Sequence, residues 1–490
     1  MRYQNIFTNE NLLLIIFPII AFIIALIPTL KFQQPLSWDI YYHVHLAKLY
    51  MDQWFTLGDH LTYAPFGRPI FYPPFFHYIL AIFSQILKMD PFQVSRFLQP
   101  VFSFSFVFSF IFVTKKLYNL RVALISGGFL FFTNVFHRSM LPIPETLALI
   151  FFPLSIYFLF IAFEGKGLKY AFISGIISGV MFLTHALTAL LLLGVVLIFT
   201  FSLKLRNDNV EFKSLWVFLG VTFLCASLWW GPLIFQNGYV FNNPVTAFFG
   251  LTWYIKTIFK VWGGPGTVFA FLWAVVSIKN GMEKKSIGKI FKELSRNDLL
   301  LVIWLTFILI ITSAYLIGIP ILIDRIFNFA VFPVVIMASF GLEYVRSINS
   351  EKSIYYNNLY RILVVVLIFG GVSQGFLYAH SVEPLVNNSQ IDVAQWFAEN
   401  GDKKRVVMSL SEGIDPVIVS VSRQPVSTGG YHPGMVKVLN REMYYSGNYT
   451  REDLIRDNIG YLVETSDMVN PNYFKLVYQN KDYKVWRVEI

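Results

Sequence analysis

The sequence predicts a polytopic α-helical membrane protein with about eleven transmembrane helices and a small C-terminal α/β domain outside the membrane. The 490-residue chain is 56% hydrophobic and only 14% charged, and it contains 51 phenylalanines. A soluble domain is nearer to about 25% charged. Many apolar runs approach the roughly 20 residues that a helix needs to cross a bilayer. The pattern changes after residue 379, where acids outnumber bases and shorter apolar runs take over.

The predicted membrane segments lie near residues 11–30, 97–113, 122–136, 146–163, 170–184, 187–203, 214–235, 262–278, 299–317, 326–345 and 361–378. With the N-terminus in the cytoplasm, all five loops that are rich in Lys and Arg fall on the cytoplasmic side, as the positive-inside rule requires. We interpret the first segment as a retained helix, because no small-residue cleavage site follows it. The chain after Ala379 is then expected outside the cell (plasma) membrane.

The charge and the cysteine content exclude other classes of protein. The net charge of +10 does not indicate a nucleic-acid partner, because a membrane protein concentrates basic residues in its cytoplasmic loops. The single cysteine, Cys225, excludes an internal disulfide bond and a metal site built from cysteines. The expected surroundings are therefore the lipid bilayer.

One apolar stretch, residues 69–87, would disturb this topology if it crossed the membrane. A crossing here would move the next basic loop to the outside. The stretch contains paired prolines at 73 and 74, which suit the start of a helix. We therefore predict a half-buried helix within a long first external loop, residues 31–96, of a membrane domain that spans residues 1–379.

Residues 380–490 are predicted to form the external α/β domain. Residues 391–400 have the period of an amphipathic helix that ends before Gly401. The other predicted elements are strands at 405–409 and 460–464 and a hairpin formed by 473–478 and 483–488.

Ionisable side chains are costly near a membrane, so each one at the external face needs an explanation. Three loops predicted at that face carry such groups, namely Asp39, His43 and His45, then His137, Arg138 and Glu145, then Asp324 and Arg325. Local explanations exist for each. An acid at position 39 could cap a helix, one at 145 could stabilise a helix's first turn, and the arginines could extend to lipid headgroups. The paired histidines, two residues apart, would diverge on a helix as interfacial polar groups.

Together these residues suggest a site for an anionic lipid phosphate with a base beside it. Arginine forks bind phosphate oxygens in pairs. A partly desolvated carboxylate can have a raised pKa that suits it to accept a proton from a hydroxyl. His185, between two predicted spans, either joins this site or is satisfied at the end of a helix.

Several of these residues lie in motifs that resemble the catalytic subunit of oligosaccharyltransferase and, more broadly, the GT-C membrane glycosyltransferases. Residues 38–45 (WDIYYHVH) resemble that family's Asp-Pro-Tyr/Trp-Tyr-His signature after the first helix. Residues 72–77 (YPPFFH) resemble its Tyr-Pro helix in the first external loop. Arg138-Ser139 followed by Pro144-Glu145 resembles its second acidic motif, and residues 325–333 resemble the segment whose arginine binds the donor phosphate. The resemblance implies a GT-C-like fold and a donor sugar linked to a lipid phosphate.

The chain departs from the family's pattern in three places. Ile143 stands where the second acidic motif has an Asp, and residues 212–282 contain no acid. The Trp-Trp-Asp-Tyr-Gly acceptor motif, expected near residues 409–415, is absent. An amide nitrogen is a poor nucleophile, for which the family is understood to use several carboxylates and a metal, whereas a sugar hydroxyl needs one general base. The sequence therefore favours transfer to a hydroxyl of a glycan or glycolipid.

In this hypothesis Asp39 is the catalytic base, and Glu145 is a second catalytic carboxylate that positions the acceptor or a metal. The predicted substrate-binding residues are Arg138, Arg325, His43, His77 and Tyr42. The donor is a sugar on polyprenyl (dolichyl) phosphate. The resemblance also implies a divalent cation, Mg or Mn, with Asp39 and Glu145 as its candidate ligands.

Three alternatives stay open from the sequence. They are N-glycosylation of a protein acceptor, as by oligosaccharyltransferase, a transporter or flippase for lipid-linked sugars, and a non-catalytic relative that only binds lipid or scaffolds a surface complex. Transporters usually show internal repeats and charges near the middle of the membrane. Here no paired halves are visible and the charges cluster in external loops, which favours an enzyme.

Overall fold

The computed structural model describes residues 9–238, 249–284, 291–319, 321–349, 354–411, 413–430, 436–465 and 472–489. Parts of two predicted basic loops, 285–290 and 350–353, lie outside the described residues. The chain divides into two compact units. The first, which we call the helical unit, comprises residues 1–31, 98–226 and 244–382. The second, which we call the mixed unit, comprises residues 32–97, 227–243 and 383–490.

Helices dominate the described part of the chain. Those of the first three quarters are Asn9–Lys31, Asp39–Asp52, Phe75–Leu87, Pro91–Leu117, Leu120–Leu130, Asn134–Ser139, Pro144–Phe163, Leu168–Phe182, Ala186–Leu205, Phe212–Asn237, Gly250–Trp262, Gly264–Lys284, Arg296–Ser313, Ile323–Asn328, Val331–Asn349 and Ile354–Ser381. A 3₁₀ turn at Ala314–Ile317 follows one of them. The remaining helices are Asn388–Asn400, Asp415–Ser422, Arg441–Tyr445 and Arg451–Arg456.

The chain is a multi-pass helical membrane protein. Among the described residues, seven helices are long and apolar enough to cross a membrane, or eight if one bent pair counts as a single span. That pair, Gly250–Trp262 and Gly264–Lys279, bends by 102°. The predicted segments 122–136 and 170–184 coincide with shorter apolar helices of 11 and 15 residues. The count of eleven crossings therefore stays a prediction.

The core of the helical unit is built from large aromatic and small residues that allow helices to pack closely. Gly341, on Val331–Asn349, faces the backbone of Phe269 so closely that an added Cβ would lie 2.0 Å from its carbonyl oxygen. Phe332, Phe152 and Trp304 form an aromatic cluster with ring centroids 5.1–6.1 Å apart. Such interlocking fixes the ends of the helices, where the polar residues lie.

The mixed unit contains a four-stranded sheet. Val406–Ser409 pairs in parallel with Ile459–Thr465, which pairs antiparallel with Tyr483–Val488, and Phe474–Gln479 completes the edge as a hairpin partner. The amphipathic helix Asn388–Asn400 begins with a capping box formed by Asn387 and Gln390, and Gly401 follows its last residue. The predicted hairpin and helix are thus present in this unit.

Residues of the first predicted external loop belong to the same unit as this sheet. The amide of Ala64 donates to the carbonyl of Val426 at 3.0 Å, and the amide of Val426 donates to the carbonyl of Leu61 at 2.8 Å. The helix Phe75–Leu87 begins directly after Pro74, where the paired prolines predict a helix start. The loop is therefore an ordered part of the mixed unit.

Candidate active site

Arg138 and Glu145 form an ion pair across the turn that joins two helices of the helical unit. Arg138 lies in the last turn of Asn134–Ser139, and Glu145 lies in the first turn of Pro144–Phe163. The Arg138 guanidinium donates to Oε2 of Glu145, whose side chain is only 4% exposed. The Thr146 hydroxyl donates to the Arg138 carbonyl at 3.0 Å and so closes the turn.

Local sequence explains why the two helices begin where they do. The Thr133 side chain accepts the amide proton of Phe136 and caps the first helix. Pro144 occupies the first position of the second helix, where its missing N–H costs nothing. Ile143 before it is extended, as the residue before a proline prefers. This geometry sets an acid and a base seven residues apart within contact distance.

Asn328 and Arg325 bring another segment of the chain to the same carboxylate. Asn328, at the end of Ile323–Asn328, donates to Glu145 Oε1 at 3.4 Å and accepts from Asn134 Nδ2 at 3.4 Å. Arg325 is half-buried and close enough to Glu145 to interact with it electrostatically. Within the part of the chain that the structure describes, its guanidinium makes no hydrogen bond and no ion pair. Arg325 therefore adds a charge that no neighbouring acid neutralises by contact.

His185 lies beside this group and immediately precedes the helix that begins at Ala186. Its Nδ1 is 2.7 Å from the Thr188 hydroxyl. The ring interacts electrostatically with Glu145 and Arg325. Desolvation lowers the pKa of His185 to about 4, so the imidazole is neutral at pH 7. The sequence left its role open between a site residue and a helix-end histidine, and the structure places it next to the ion pair.

His137 and Tyr378 close another side of the Arg138 environment. Their rings are stacked with centroids 3.9 Å apart and planes within 9° of parallel. Arg138 interacts electrostatically with the Tyr378 hydroxyl. Burial lowers the pKa of His137 to about 4, so this histidine contributes an uncharged ring. The predicted acid and both predicted arginines therefore sit among neutral aromatic groups.

The charges of this cluster leave an excess positive charge. The two guanidiniums of Arg138 and Arg325 and the one carboxylate of Glu145 sum to one positive charge. The carboxylate oxygens are already engaged by Arg138 and Asn328. Within the described ranges, no group of three or more His, Cys, Asp or Glu side chains is placed to hold a metal ion. The side chains of this cluster suit an anion better than a cation, and we assign no reaction step to a metal.

Asp39 belongs to the mixed unit, where it is the first residue of Asp39–Asp52. Trp38 occupies the cap position, and no side-chain hydrogen bond caps the helix. The Asp39 amide donates to the Ser37 hydroxyl at 3.2 Å, and its side chain is half-buried. Asp39 therefore lies in the first turn of this helix, a position that acidic residues commonly occupy.

His43 and His77 contact each other in the mixed unit. His43 Nδ1 lies 3.0 Å from His77 Nε2, and both side chains are buried. Tyr42 and Tyr72 pack edge-to-face beside them, with centroids 6.1 Å apart. Burial lowers the pKa of His77 to about 3, so His77 stays uncharged at neutral pH. The predicted substrate-binding residues of this loop thus form one aromatic cluster.

The mixed unit also contains a buried ion network that the sequence analysis did not predict. His45 Nε2 lies 3.0 Å from Asp59 Oδ2, and Arg68 Nε lies 3.7 Å from the same oxygen. Burial alone would raise the pKa of Asp59, but His45 and Arg68 together hold it below its ordinary value. Arg68 also donates to the Gly429 carbonyl at 2.7 Å. The only sign of this network in the sequence is that an acid and a base, Asp59 and Arg68, lie within the short stretch 58–68.

A family model and several solved structures are similar to this chain. The model described as "Dolichyl-phosphate-mannose-protein mannosyltransferase" matches residues 72–230, which include Arg138, Glu145 and His185. No curated protein sequence matches the chain.

Among solved structures, the oligosaccharyltransferase of Archaeoglobus fulgidus matches with a TM-score of 0.70 and 14% identity, over 94% of this chain and 70% of that chain. ArnT from Cupriavidus metallidurans matches with a TM-score of 0.65 and 12% identity, over 96% and 97% of the two chains. The arabinofuranosyltransferase AftD from Mycobacteria matches with a TM-score of 0.62 and 13% identity, over 97% and 41%.

Some of the matching structures contain ligands. One is the archaeal enzyme AglB with dolichol-phosphate and an inhibitory peptide, one is the same organism's enzyme with Zn and sulfate, and one is ArnT with undecaprenyl phosphate. The chain shares its fold with all of them. It is thus a membrane protein of GT-C fold that resembles oligosaccharyltransferase, and the family match supports a glycosyltransferase.

Proposed function

We propose that this protein transfers a sugar from a polyprenyl-phosphate-linked donor to a hydroxyl of a glycan or glycolipid on the outer side of the plasma membrane. The observation that carries the proposal is the unpaired charge of Arg325 within the described chain. This residue has a half-buried guanidinium without a hydrogen-bond or ion-pair partner in the described chain, placed beside the Arg138–Glu145 pair. A charge in such a position is expected to have a ligand, because an unpaired cation away from water is costly.

The charge of the cluster supports a phosphate as that ligand. A sugar joined to a lipid through one phosphate forms a diester with one negative charge. The excess of one positive charge on Arg138, Arg325 and Glu145 balances it. Guanidinium groups also match phosphate oxygens in geometry. The solved structures of AglB with dolichol-phosphate and of ArnT with undecaprenyl phosphate are consistent with a polyprenyl-phosphate donor.

In the proposed reaction, the acceptor hydroxyl oxygen forms a bond to the anomeric carbon while the bond from that carbon to the phosphate oxygen breaks. The electron pair of the broken bond leaves on the phosphate, which Arg138 and Arg325 stabilise. The hydroxyl proton passes to the Asp39 carboxylate. Glu145 orients Arg138, while Tyr42, His43 and His77 are the residues expected to line the sugar.

The proposal is tested with the purified protein in lipid nanodiscs and a donor carrying a radiolabelled sugar. We expect Asp39→Asn and Arg325→Gln each to reduce transfer by at least about a hundredfold, as removal of a general base or an oxyanion donor does. Asp392→Asn and Arg361→Gln, at exposed helix positions, are the matched controls and should retain wild-type rates. Full activity of Asp39→Asn at normal protein levels would remove it as the base.

Protein N-glycosylation is the second candidate, favoured by the shared fold with the Archaeoglobus enzyme over 94% of this chain. The same labelled donor distinguishes the possibilities when glycan, glycolipid and a peptide with an Asn-x-Thr triplet are offered separately. Label in the peptide would favour the second candidate. Movement of the intact labelled lipid without transfer would indicate a transporter, and binding without either would indicate a non-catalytic protein.

A further inference from the structure

His185 is held rigidly beside the two arginines. Its amide donates to the Met181 carbonyl at 2.7 Å, and its own carbonyl accepts from the Ala189 amide at 3.4 Å. The ring is fixed by the 2.7 Å contact between Nδ1 and the Thr188 hydroxyl. The main chain of His185 is therefore anchored to the end of one helix and the start of the next, and its ring is anchored to the first turn of Ala186–Leu205. The Nε2 edge of the ring is directed away from Thr188.

The hydrogen bond between His185 and Thr188 indicates which ring nitrogen of His185 carries the proton. The Thr188 side chain is buried, and in the described chain its hydroxyl has no hydrogen-bond partner other than His185. If Nδ1 carried the hydrogen, the Thr188 hydroxyl would accept it and its own proton would be left unsatisfied in a buried place. The favoured arrangement has the hydroxyl donating to Nδ1. The hydrogen of the neutral ring then resides on Nε2.

The Nε2–H group has no hydrogen-bond acceptor among the described residues. Within the described ranges His185 makes only the hydrogen bond to Thr188 through its side chain. The charged groups that face it are Glu145, Arg325 and Arg138. The two oxygens of Glu145 are engaged by Arg138 and by an asparagine amide, and the arginines are themselves donors. An oriented donor beside two guanidiniums is suited to an external group that has several acceptor oxygens.

We propose that His185 is a third binding residue for the donor phosphate, with its Nε2–H donating to a non-bridging phosphate oxygen beside Arg325. The inference rests on the proposed function and adds a residue to it. Thr188 is a positioning residue, because it acts only by holding the ring and its tautomer. A non-bridging oxygen is present in both the phosphodiester donor and the phosphomonoester product. Loss of this contact is therefore expected to raise KM more than it lowers kcat.

The test measures the affinity of the full-length protein in nanodiscs for a polyprenyl monophosphate, with the corresponding prenol as the phosphate-free control. Loss of a hydrogen bond to a charged group predicts that His185→Ala weakens phosphate binding by about tenfold or more. His185→Gln places an amide N–H near the position of Nε2–H and should recover most of the affinity. Thr188→Val should weaken binding in the wild-type background but have no further effect in His185→Ala, whereas Thr188→Ser should bind as wild type.

Matched controls distinguish these effects from loss of fold. Thr200→Val removes another buried hydroxyl from the same helix, and His380→Ala removes an exposed histidine; neither should change phosphate affinity. If His185→Ala binds the phosphate as wild type while Arg325→Gln binds weakly, the role of His185 is wrong and the phosphate site stands. If Arg325→Gln and wild type bind phosphate and prenol equally, the proposed function itself fails. If His185→Ala folds poorly, the phosphate affinities of His185→Gln and Thr188→Val still test the role of His185.

Discussion

Replacing Glu145 by glutamine tests whether its ion pair holds Arg138 in place. The carboxylate is 4% exposed and the Arg138 side chain is 21% exposed. If the Arg138 guanidinium loses the carboxylate, little water can therefore reach it to replace the lost interaction. Removing one partner of a buried ion pair costs about 3–5 kcal/mol of folding free energy. Because Arg138 retains some contact with solvent and glutamine can keep the Asn328 hydrogen bond, we expect a loss at the lower end of this range, about 3 kcal/mol of folding free energy.

The assay is reversible unfolding in mixed micelles with increasing SDS, followed by tryptophan fluorescence. The double variant Arg138→Gln with Glu145→Gln removes both charges, so it should recover at least half of the free energy lost in Glu145→Gln. Glu383→Gln, at an exposed position, is the control and should unfold as wild type. Unfolding of Glu145→Gln at the wild-type SDS fraction, or simple addition of the two single losses in the double variant, would refute the argument.

Two further predictions concern stability. Burial raises the pKa of Asp415 to about 6, despite hydrogen bonds from Thr428. Between pH 4 and 6 the folded state then binds more protons than the unfolded state, so the free energy of unfolding should fall with rising pH by about 3 kcal/mol. Asp415→Asn should abolish this pH dependence in thermal unfolding. A variant with the wild-type pH profile would contradict the assignment to Asp415. Gly341→Ala should lower the melting temperature, by a loss of about 1–3 kcal/mol, because the new methyl would meet the Phe269 carbonyl. Gly220→Ala, with nothing within 4 Å, should be neutral or stabilising in the same thermal scan.

The elements that sequence predicts well here depend on local interactions. The paired prolines at 73 and 74 mark the start of a helix, and the helix begins at Phe75. The hairpin predicted at 473–488 forms because its alternating strands and its turn are close in the chain. The number of membrane crossings is harder to predict from the sequence, because the apolar segments near 122–136 and 170–184 form helices of only 11 and 15 residues. Helix length depends on where packing ends each helix as well as on apolar content.

The two histidines near the N-terminus show what spacing alone misses. Helix geometry correctly indicates that His43 and His45 point apart. Their partners, His77 and Asp59, lie 34 and 14 residues away and could not be named from the spacing. Asp59 and Arg68 lie within the predicted loop 31–96 but in none of the recognised motifs, so the sequence prediction did not include the buried network that they form.

The sequence by itself determined the class of protein, the candidate acid and arginines, and the resemblance to oligosaccharyltransferase. These follow from composition, from apolar runs, and from motifs whose residues are neighbours in the chain, such as Arg138 and Glu145 on one turn. The tertiary structure alone decided that Asn328 reaches Glu145 across 183 residues and that Arg325 and His185 join them. Contacts at such separations are set by how helices pack against one another, and that packing depends on the shape of the whole core rather than on any one segment.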